Sequence, residues 1–322
     1  MLVAEVAERK DAAVASDAAA ASLAVQTVDL RKRFGRTVAL AGLTMTVPRG
    51  EVFGFLGPNG AGKTTAVKLL LGLLAPTSGQ GWLLGRPVGD LGARRHIGYL
   101  PELFRYQSWL SAAEVLALHC ELAPLPRSSW KDEIRTVLDT VGLTDRANDR
   151  VGTFSKGMQQ RLGLGAALLG EPDLVFLDEP TSALDPVGRH DVREIIRGLA
   201  SRGTAVFLNS HLLSEVEQVC DRVAVVDHGR VIAEGTMEEI LGGGTAVRVR
   251  VAGLTQADKN RLASFGRIDD EGDQLTFANL APDRVPDLVA QIVALGGRVY
   301  EVAPRHQTLE DRFLQLLEDE EK

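Results

Sequence analysis

The chain has 322 residues, 45% of them apolar, enough for a sizeable core and for two domains. Its 36 basic and 43 acidic residues leave a net charge of −7, which argues against a general nucleic-acid or anionic-membrane footprint. No apolar run approaches the roughly 18 residues needed to span a bilayer, and Glu5, Glu8, Asp11 and Asp17 interrupt the stretch where a secretory signal would be continuously apolar.

Residues 1–22 are alanine-rich with scattered charge and read as a flexible extension with no assigned function. Short strands follow over residues 23–47, where apolar and polar residues alternate in part. Between them, Arg33-Phe34-Gly35 puts an aromatic ring on a basic loop. A flat ring there is open to two readings, a platform for a purine base or an ordinary packing residue.

The strand-like Val52-Phe53-Gly54-Phe55-Leu56 leads into Gly57-Pro58-Asn59-Gly60-Ala61-Gly62-Lys63-Thr64-Thr65, and an apolar helix pattern follows. The nine residues fit the phosphate-loop template at every fixed position. Strand, glycine loop and helix together turn backbone N–H groups toward an anion at a helix N-terminus. The glycines at 57, 60 and 62 are expected to supply unusual dihedrals and a close backbone approach to phosphate. Lys63 would reach the β- and γ-phosphates, and the Thr64 hydroxyl would ligate Mg²⁺.

Two further strand-like stretches, residues 79–85 and 97–100, precede Pro101-Glu102. Phe104, Tyr106 and Trp109 then cluster in an aromatic-poor chain, as a docking surface for a partner or as a small local core. Ser111-Ala112-Ala113-Glu114 predicts a capped helix start, and residues 111–147 read as mostly helical with breaks at Pro124 and Pro126. Cys120 and Cys220 have no metal-like spacing and read as reduced thiols.

Ser155 is a predicted N-cap with Gly157 in the first turn of a buried helix, which is either a second anion site or a plain capped helix. Leu174-Val175-Phe176-Leu177 predicts a strand buried on both faces. It ends on Asp178-Glu179-Pro180, at the edge where ligands bind in parallel sheets. Asp178 is suited to hold Mg²⁺ on the nucleotide phosphates, and Glu179, pointing differently, to polarise the attacking water. Ser182-Ala183-Leu184-Asp185-Pro186 opens another helix. A buried strand at residues 205–208 then delivers Asn209-Ser210-His211 to the same edge, so His211 is either structural or a nucleotide contact.

Gly242-Gly243-Gly244 reads as a linker. Beyond it the expected order is strand 246–251, helix 256–263, strands 266–269 and 274–278, helix 285–295 and strand 298–302. That β-α-β-β-α-β order is the ferredoxin-like arrangement, here followed by an amphipathic helix around Leu309, Phe313, Leu316 and Leu317.

Taken together, the loop at 57–65, the Phe154-Ser155-Lys156-Gly157-Met158 segment, the Asp178-Glu179 pair, the 182–185 turn and His211 resemble, in order and spacing, the ATP-binding subunit of ABC transporters over residues 23–241. The resemblance implies an α/β P-loop ATPase core with an antiparallel β subdomain and a helical subdomain, joined through linker 242–245 to a ferredoxin-like α+β domain at 246–322. Phe34 matches the adenine-stacking aromatic, where tyrosine is commoner. Glu102 stands at the metal-proximal Q-loop position, usually glutamine. Lys156 and Met158 replace a glycine and a glutamine of the usual signature, and His211 matches the γ-phosphate switch.

The resemblance further implies ATP and Mg²⁺ as ligands and a head-to-tail dimer in which Ser155 and Gly157 of one subunit cap ATP on the other. The partner would be an integral-membrane permease contacting Phe104, Tyr106 and Trp109, at the cytoplasmic face of the membrane. The Glu102 and FSKGM variants look like the subgroup paired with ABC-2-type export permeases. The alternatives are an importer ATPase with a ligand-sensing C-terminal domain and a soluble ABC ATPase acting on ribosome or DNA.

Overall fold

A computed structural model describes residues 22–123, 125–242, 246–278, 280–305 and 308–320. The expected extension at 1–22 and the break at Pro124 therefore fall, but for Ser22, outside the described residues. The described chain forms two compact units that meet in sequence between Gly235 and Thr236.

The first unit opens on two long antiparallel strands, β1 (Leu23–Phe34) and β2 (Thr37–Pro48), paired from Leu23 opposite Pro48 to Phe34 opposite Thr37. Next come β3 (Val52–Leu56), α1 (Lys63–Leu70), β4 (Ser78–Leu83), β5 (Arg86–Pro87), α2 (Leu91–Arg94) and β6 (Ile97–Leu100). A helical stretch follows with α3 (Ala112–Leu122), α4 (Trp130–Thr140) and α5 (Lys156–Leu168). The unit closes with β7 (Leu174–Asp178), α6 (Pro186–Ser201), β8 (Ala205–Asn209), α7 (Leu213–Val219), β9 (Arg222–Asp227) and β10 (Arg230–Thr236).

One ten-stranded sheet runs β5-β4-β1-β2-β10-β9-β3-β8-β7-β6. Its β1 runs antiparallel to both neighbours, β4 and β2, whereas β9, β3, β8, β7 and β6 are parallel. Every residue of β3, β7 and β8 is buried, as their unbroken apolar runs require when both faces of a sheet are covered. Phe207 packs against Phe53, Phe55 and Phe176 at centroid distances of 5.8, 5.2 and 5.0 Å, tying the three strands together. Parallel pairing has a consequence for chemistry. Asn209 lies opposite both Phe55 and Asp178, so β3, β8 and β7 deliver their carboxyl ends to one edge of the sheet.

The two predicted caps, Ser111 and Ser155, are present, and Asp185 supplies a third. Ser111 Oγ accepts from Glu114 N–H (3.2 Å) while Glu114 Oε2 accepts from Ser111 N–H (2.7 Å), closing the capping box that starts α3. Ser155 Oγ accepts from Met158 N–H (3.2 Å) at the start of α5, and Asp185 Oδ1 from Gly188 N–H (2.8 Å) at the start of α6.

The second unit contains α8 (Met237–Leu241), β11 (Ala246–Ala252), α9 (Gln256–Arg261), β12 (Ile268–Asp270), β13 (Gln274–Phe277), α10 (Val285–Ala294), β14 (Arg298–Arg305) and α11 (Leu309–Glu320). Its sheet runs β12-β13-β11-β14 and is antiparallel at every pairing. Along β11, Val247, Val249 and Val251 face a core shared with Leu262, Leu275, Phe277, Leu288 and Ile292. The helix expected over 256–263 ends at Arg261 and tightens into a 3₁₀ turn, Leu262–Phe265. The strand expected from Gly266 begins at Ile268; Gly266 itself sits at φ 140°, where a Cβ would lie 2.5 Å from Ala278 O. Within this unit Arg312 Nε donates to Ile240 O (3.1 Å), joining α11 to α8. Of the expected linker, Gly242 is the left-handed C-cap of α8 (φ 78°), and residues 243–245 lie outside the described residues. Among the described residues no helix is long and apolar enough to cross a membrane.

Candidate active site

The loop after β3 is shaped by glycine for two different reasons. Gly60 and Gly62 have φ of 87° and 100°, the left-handed region that L side chains avoid. Gly57 does not have a positive φ, contrary to the dihedral role expected for it. A Cβ there would lie 2.2 Å from Val226 O, so its glycine is required by close approach to β9. Gly62 caps α1 without a side chain, and the first amide to bond within the helix is Ala66 N–H to Gly62 O (2.9 Å). The N–H groups of Lys63, Thr64 and Thr65 precede that ladder and carry the positive end of the helix dipole. Lys63 Nζ arches back over the loop, donating to Gly57 O (2.6 Å) and Pro58 O (3.1 Å). Burial pulls the Lys63 ammonium below the usual lysine range, while the Glu179 and Asp178 charges hold it up. Pro58 is half-buried, Ala61 buried, and Asn59 and Thr64 exposed.

Asp178 and Glu179 are both buried, at 5% and 7% exposure. Burial raises the Asp178 carboxyl above the usual range; Glu102 and Glu179 add to the rise, against a hydrogen bond from Asn209 and the Lys63 charge. That bond runs from Asn209 Nδ2 to Asp178 Oδ1 (2.6 Å). Glu179 turns away from Asp178 because its backbone is left-handed, φ 53°. Its Oε1 accepts from His211 N–H (2.9 Å) and meets His211 Nδ1 (2.8 Å), and Ser210 Oγ lies 3.4 Å from Oε2. Gln160 of α5, itself buried, donates to Glu179 O (3.2 Å). Burial raises the Tyr99 hydroxyl, and the charges of Asp178 and of Glu102, exposed on the loop after β6, add to the rise.

The chain thus brings Lys63, Glu102, Asp178, Glu179 and His211 together at one sheet edge. Asn209, Ser210 and Gln160 also belong to this cluster and were not singled out as site residues in the sequence. For Asn209 the signal was its place at the end of a strand that pairs in register with Asp178.

Other expected residues stand elsewhere. Phe34 ends β1 beside the turn into β2, half exposed, with Lys32 Nζ 5.0 Å from its ring centre. Ser155 and Gly157 line a separate cleft of about 450 Å³ with Ala183, Leu184, Asp185 and Gly188. Tyr106 packs between Phe104 and His119, at 5.3 and 5.9 Å between ring centres, and burial pushes its hydroxyl up to about 12. Trp109 and the neighbouring Leu103 are exposed, at 68% and 87%. Phe104 and Tyr106 line a cleft of about 620 Å³ between β6 and α3, rimmed by Arg94, Arg95 and Arg105. Cys120 and Cys220 are buried free thiols. Among the described residues no group of three or more His, Cys, Asp or Glu side chains is gathered to hold a metal by itself.

Residues 40–182 match the family model described as ABC transporter. An uncharacterized ABC transporter ATP-binding protein of Nostoc sp. (strain PCC 7120) is 40% identical over 307 residues, covering 92% of this chain and 90% of the relative. The chain belongs to the ABC transporter ATP-binding proteins. It is an ABC ATPase, a family that binds and hydrolyses ATP. Export-type members are among its relatives. The Nod factor export ATP-binding protein I of Rhizobium sp. (strain N33) is 35% identical over 91% of this chain and 97% of its own length. A daunorubicin resistance ATP-binding protein of Streptomyces coeruleorubidus is 39% identical over 92% and 96%. A solved structure of the ATP binding subunit of an ABC transporter superposes with a TM-score of 0.62 at 31% identity, covering 67% of this chain and 91% of that one. The ABC ATPase fold, with its mixed sheet and surrounding helices, is therefore the fold of this chain.

Proposed function

We propose that this ABC ATPase is the energy-coupling subunit of an ABC-2-type exporter, working as a head-to-tail homodimer on a separate membrane permease at the cytoplasmic face of the membrane. The observation that carries the dimer is the separation of the two halves of the site. Lys63, Asp178, Glu179 and His211 share one edge, while Ser155 and Gly157 open into another cleft with the 183–188 turn. A phosphate loop with no closing wall of its own is completed when a second copy presents its α5 N-terminus. The export and drug-resistance names of the relatives favour an exporter.

In this reading the Gly57–Thr65 loop wraps the phosphates with its amides, and Lys63 exchanges the Gly57 and Pro58 carbonyls for β- and γ-phosphate oxygens. Phe34 stacks on the adenine, trading its Lys32 contact for the base. The Thr64 hydroxyl and the Asp178 carboxylate, with Glu102 nearby, fit Mg²⁺: all are hard oxygen donors, and Asp178 is a buried acid raised by burial and by two acidic neighbours. Bound there, Mg²⁺ would neutralise charge on the transferred phosphoryl group. Glu179 takes the proton side of water attack, and His211, held on Glu179 by two contacts, swings to the γ-phosphate when the dimer closes. The permease docks along the β6–α3 cleft beside Phe104, Tyr106, Leu103 and Trp109.

We assign residues 23–241 to the ATPase domain, 242–245 to a linker and 246–322 to an accessory domain of ferredoxin-like type. The β12-β13-β11-β14 order, with β11 antiparallel to both neighbours and helices between β11 and β12 and between β13 and β14, supports that last assignment. Lys63→Ala tests the site. Tight ATP binding, measured by titration calorimetry, should disappear while the fold is kept; an unchanged ATP affinity would remove the phosphate-loop assignment.

A further inference from the structure

We propose that Asn209 is a positioning residue that sets the metal affinity of the site by orienting Asp178. The inference rests on the reading of Asp178 as a magnesium ligand. Asn209 is the last residue of β8, 4% exposed, and stands directly opposite Asp178 in the parallel pairing of β7 and β8. Its amide can face Asp178 in only one sense. Nδ2 donates to Asp178 Oδ1 at 2.6 Å; the reverse orientation would set an amide oxygen against a carboxylate oxygen at that distance. With Nδ2 so committed, Oδ1 faces away from Asp178. Among the described residues that oxygen is buried and has no hydrogen-bond donor. A buried acceptor without a donor costs stability unless a ligand or water satisfies it.

Nδ2 therefore fixes the plane of the Asp178 carboxylate and leaves Oδ2 for the cation, while Oδ1, on the side of the amide away from Asp178, is a buried acceptor for a donor or water of its own. Outer partners of metal ligands act in this way, and their loss typically weakens metal affinity by about 10–100-fold. The neighbouring backbone has a separate task, since Asn209 O accepts from Glu179 N–H (2.9 Å), so a side-chain change leaves that contact in place.

The test uses the full chain with ATP and Mn²⁺ as a paramagnetic substitute for Mg²⁺, and reads free Mn²⁺ by electron paramagnetic resonance. Asn209→Leu keeps the branch at Cγ and removes both polar ends. It should weaken ATP-dependent Mn²⁺ binding by about ten-fold or more, with ATP affinity in EDTA unchanged. Asn209→Ser, which keeps a short donor, should fall between Leu and the parent chain; it carries the test where the Leu variant does not fold. Asp178→Asn is run beside them. If Asp178→Asn weakens Mn²⁺ binding and the Asn209 variants do not, the positioning role is wrong. If neither substitution changes Mn²⁺ affinity, the metal reading of Asp178 fails and the inference fails with it. If Asn209→Leu lowers metal-free ATP affinity as much as Mn²⁺ affinity, the residue merely supports the fold.

Discussion

Asp178 carries the tension of the site in one side chain. Its carboxyl is raised by burial and by the charges of Glu102 and Glu179, so in the nucleotide-free protein the ionised form is disfavoured relative to the unfolded chain. The linkage sign follows. A carboxyl whose folded pKa is raised binds its proton more tightly when folded, so its ionisation costs stability as pH rises through the folded value. Asp178→Asn should therefore raise Tm without nucleotide at neutral pH. The advantage should be complete above the raised pKa and shrink as pH falls through it toward the unfolded value of about 3.9. Each ~1 kcal/mol released moves Tm by roughly 2–4 °C in a unit of this size. Thermal melts over a pH series check both sign and window; a lowered Tm at neutral pH would mean that Lys63 and Asn209 outweigh the burial cost.

At the level of elements, the site depends on how closely β6 and α5 pack. A Cβ at Gly98 would meet Ala167 O at 1.9 Å, a clash with backbone that no rotamer relieves. Gly163 and Gly165 on α5, poor helix formers by propensity, likewise make room for Leu100 and Val137. Gly98→Ala should destabilise the chain by about 1–3 kcal/mol, the usual cost of overpacking, read from the urea midpoint. It should also lower ATPase activity at temperatures where the variant is folded, because α5 reaches Glu179 through Gln160. An unchanged urea midpoint would show that α5 slides freely on β6. The strands, caps and phosphate loop were legible because each rests on local chemistry: unbroken apolar runs, the Ser111–Glu114 pair, glycines at fixed offsets. The glycines of α5 were not, because their reason is a neighbour far away in sequence.

For the whole molecule, the proposed head-to-tail dimer would make assembly part of the chemistry, because Ser155 and Gly157 open into a cleft apart from the phosphate loop. Glu179→Gln keeps an acceptor for His211 N–H and removes the proposed base, so ATP should bind with hydrolysis slowed by about 10²–10⁴-fold. The closed state should then persist. Sedimentation of this variant with ATP and Mg²⁺ is expected to show a dimer; monomer alone would count against the head-to-tail arrangement. The β6–α3 cleft, lined by polar as well as apolar side chains and rimmed by Arg94, Arg95 and Arg105 on a chain of net charge −7, is the surface that the proposed permease contact would use.

The sequence by itself determined the phosphate loop, the buried strand ending on Asp178 and Glu179, the capped helices and the order of elements in the second unit. Those features are written in periodicity and in residue types at short range. Only the tertiary structure decided which residues meet. Parallel register placed Asn209 opposite Asp178, a left-handed Glu179 reached His211 and Ser210, and Gly57 proved to be required by the Val226 carbonyl beside it. Burial and charge at a sheet edge come from strands distant in sequence, and no local pattern specifies their register.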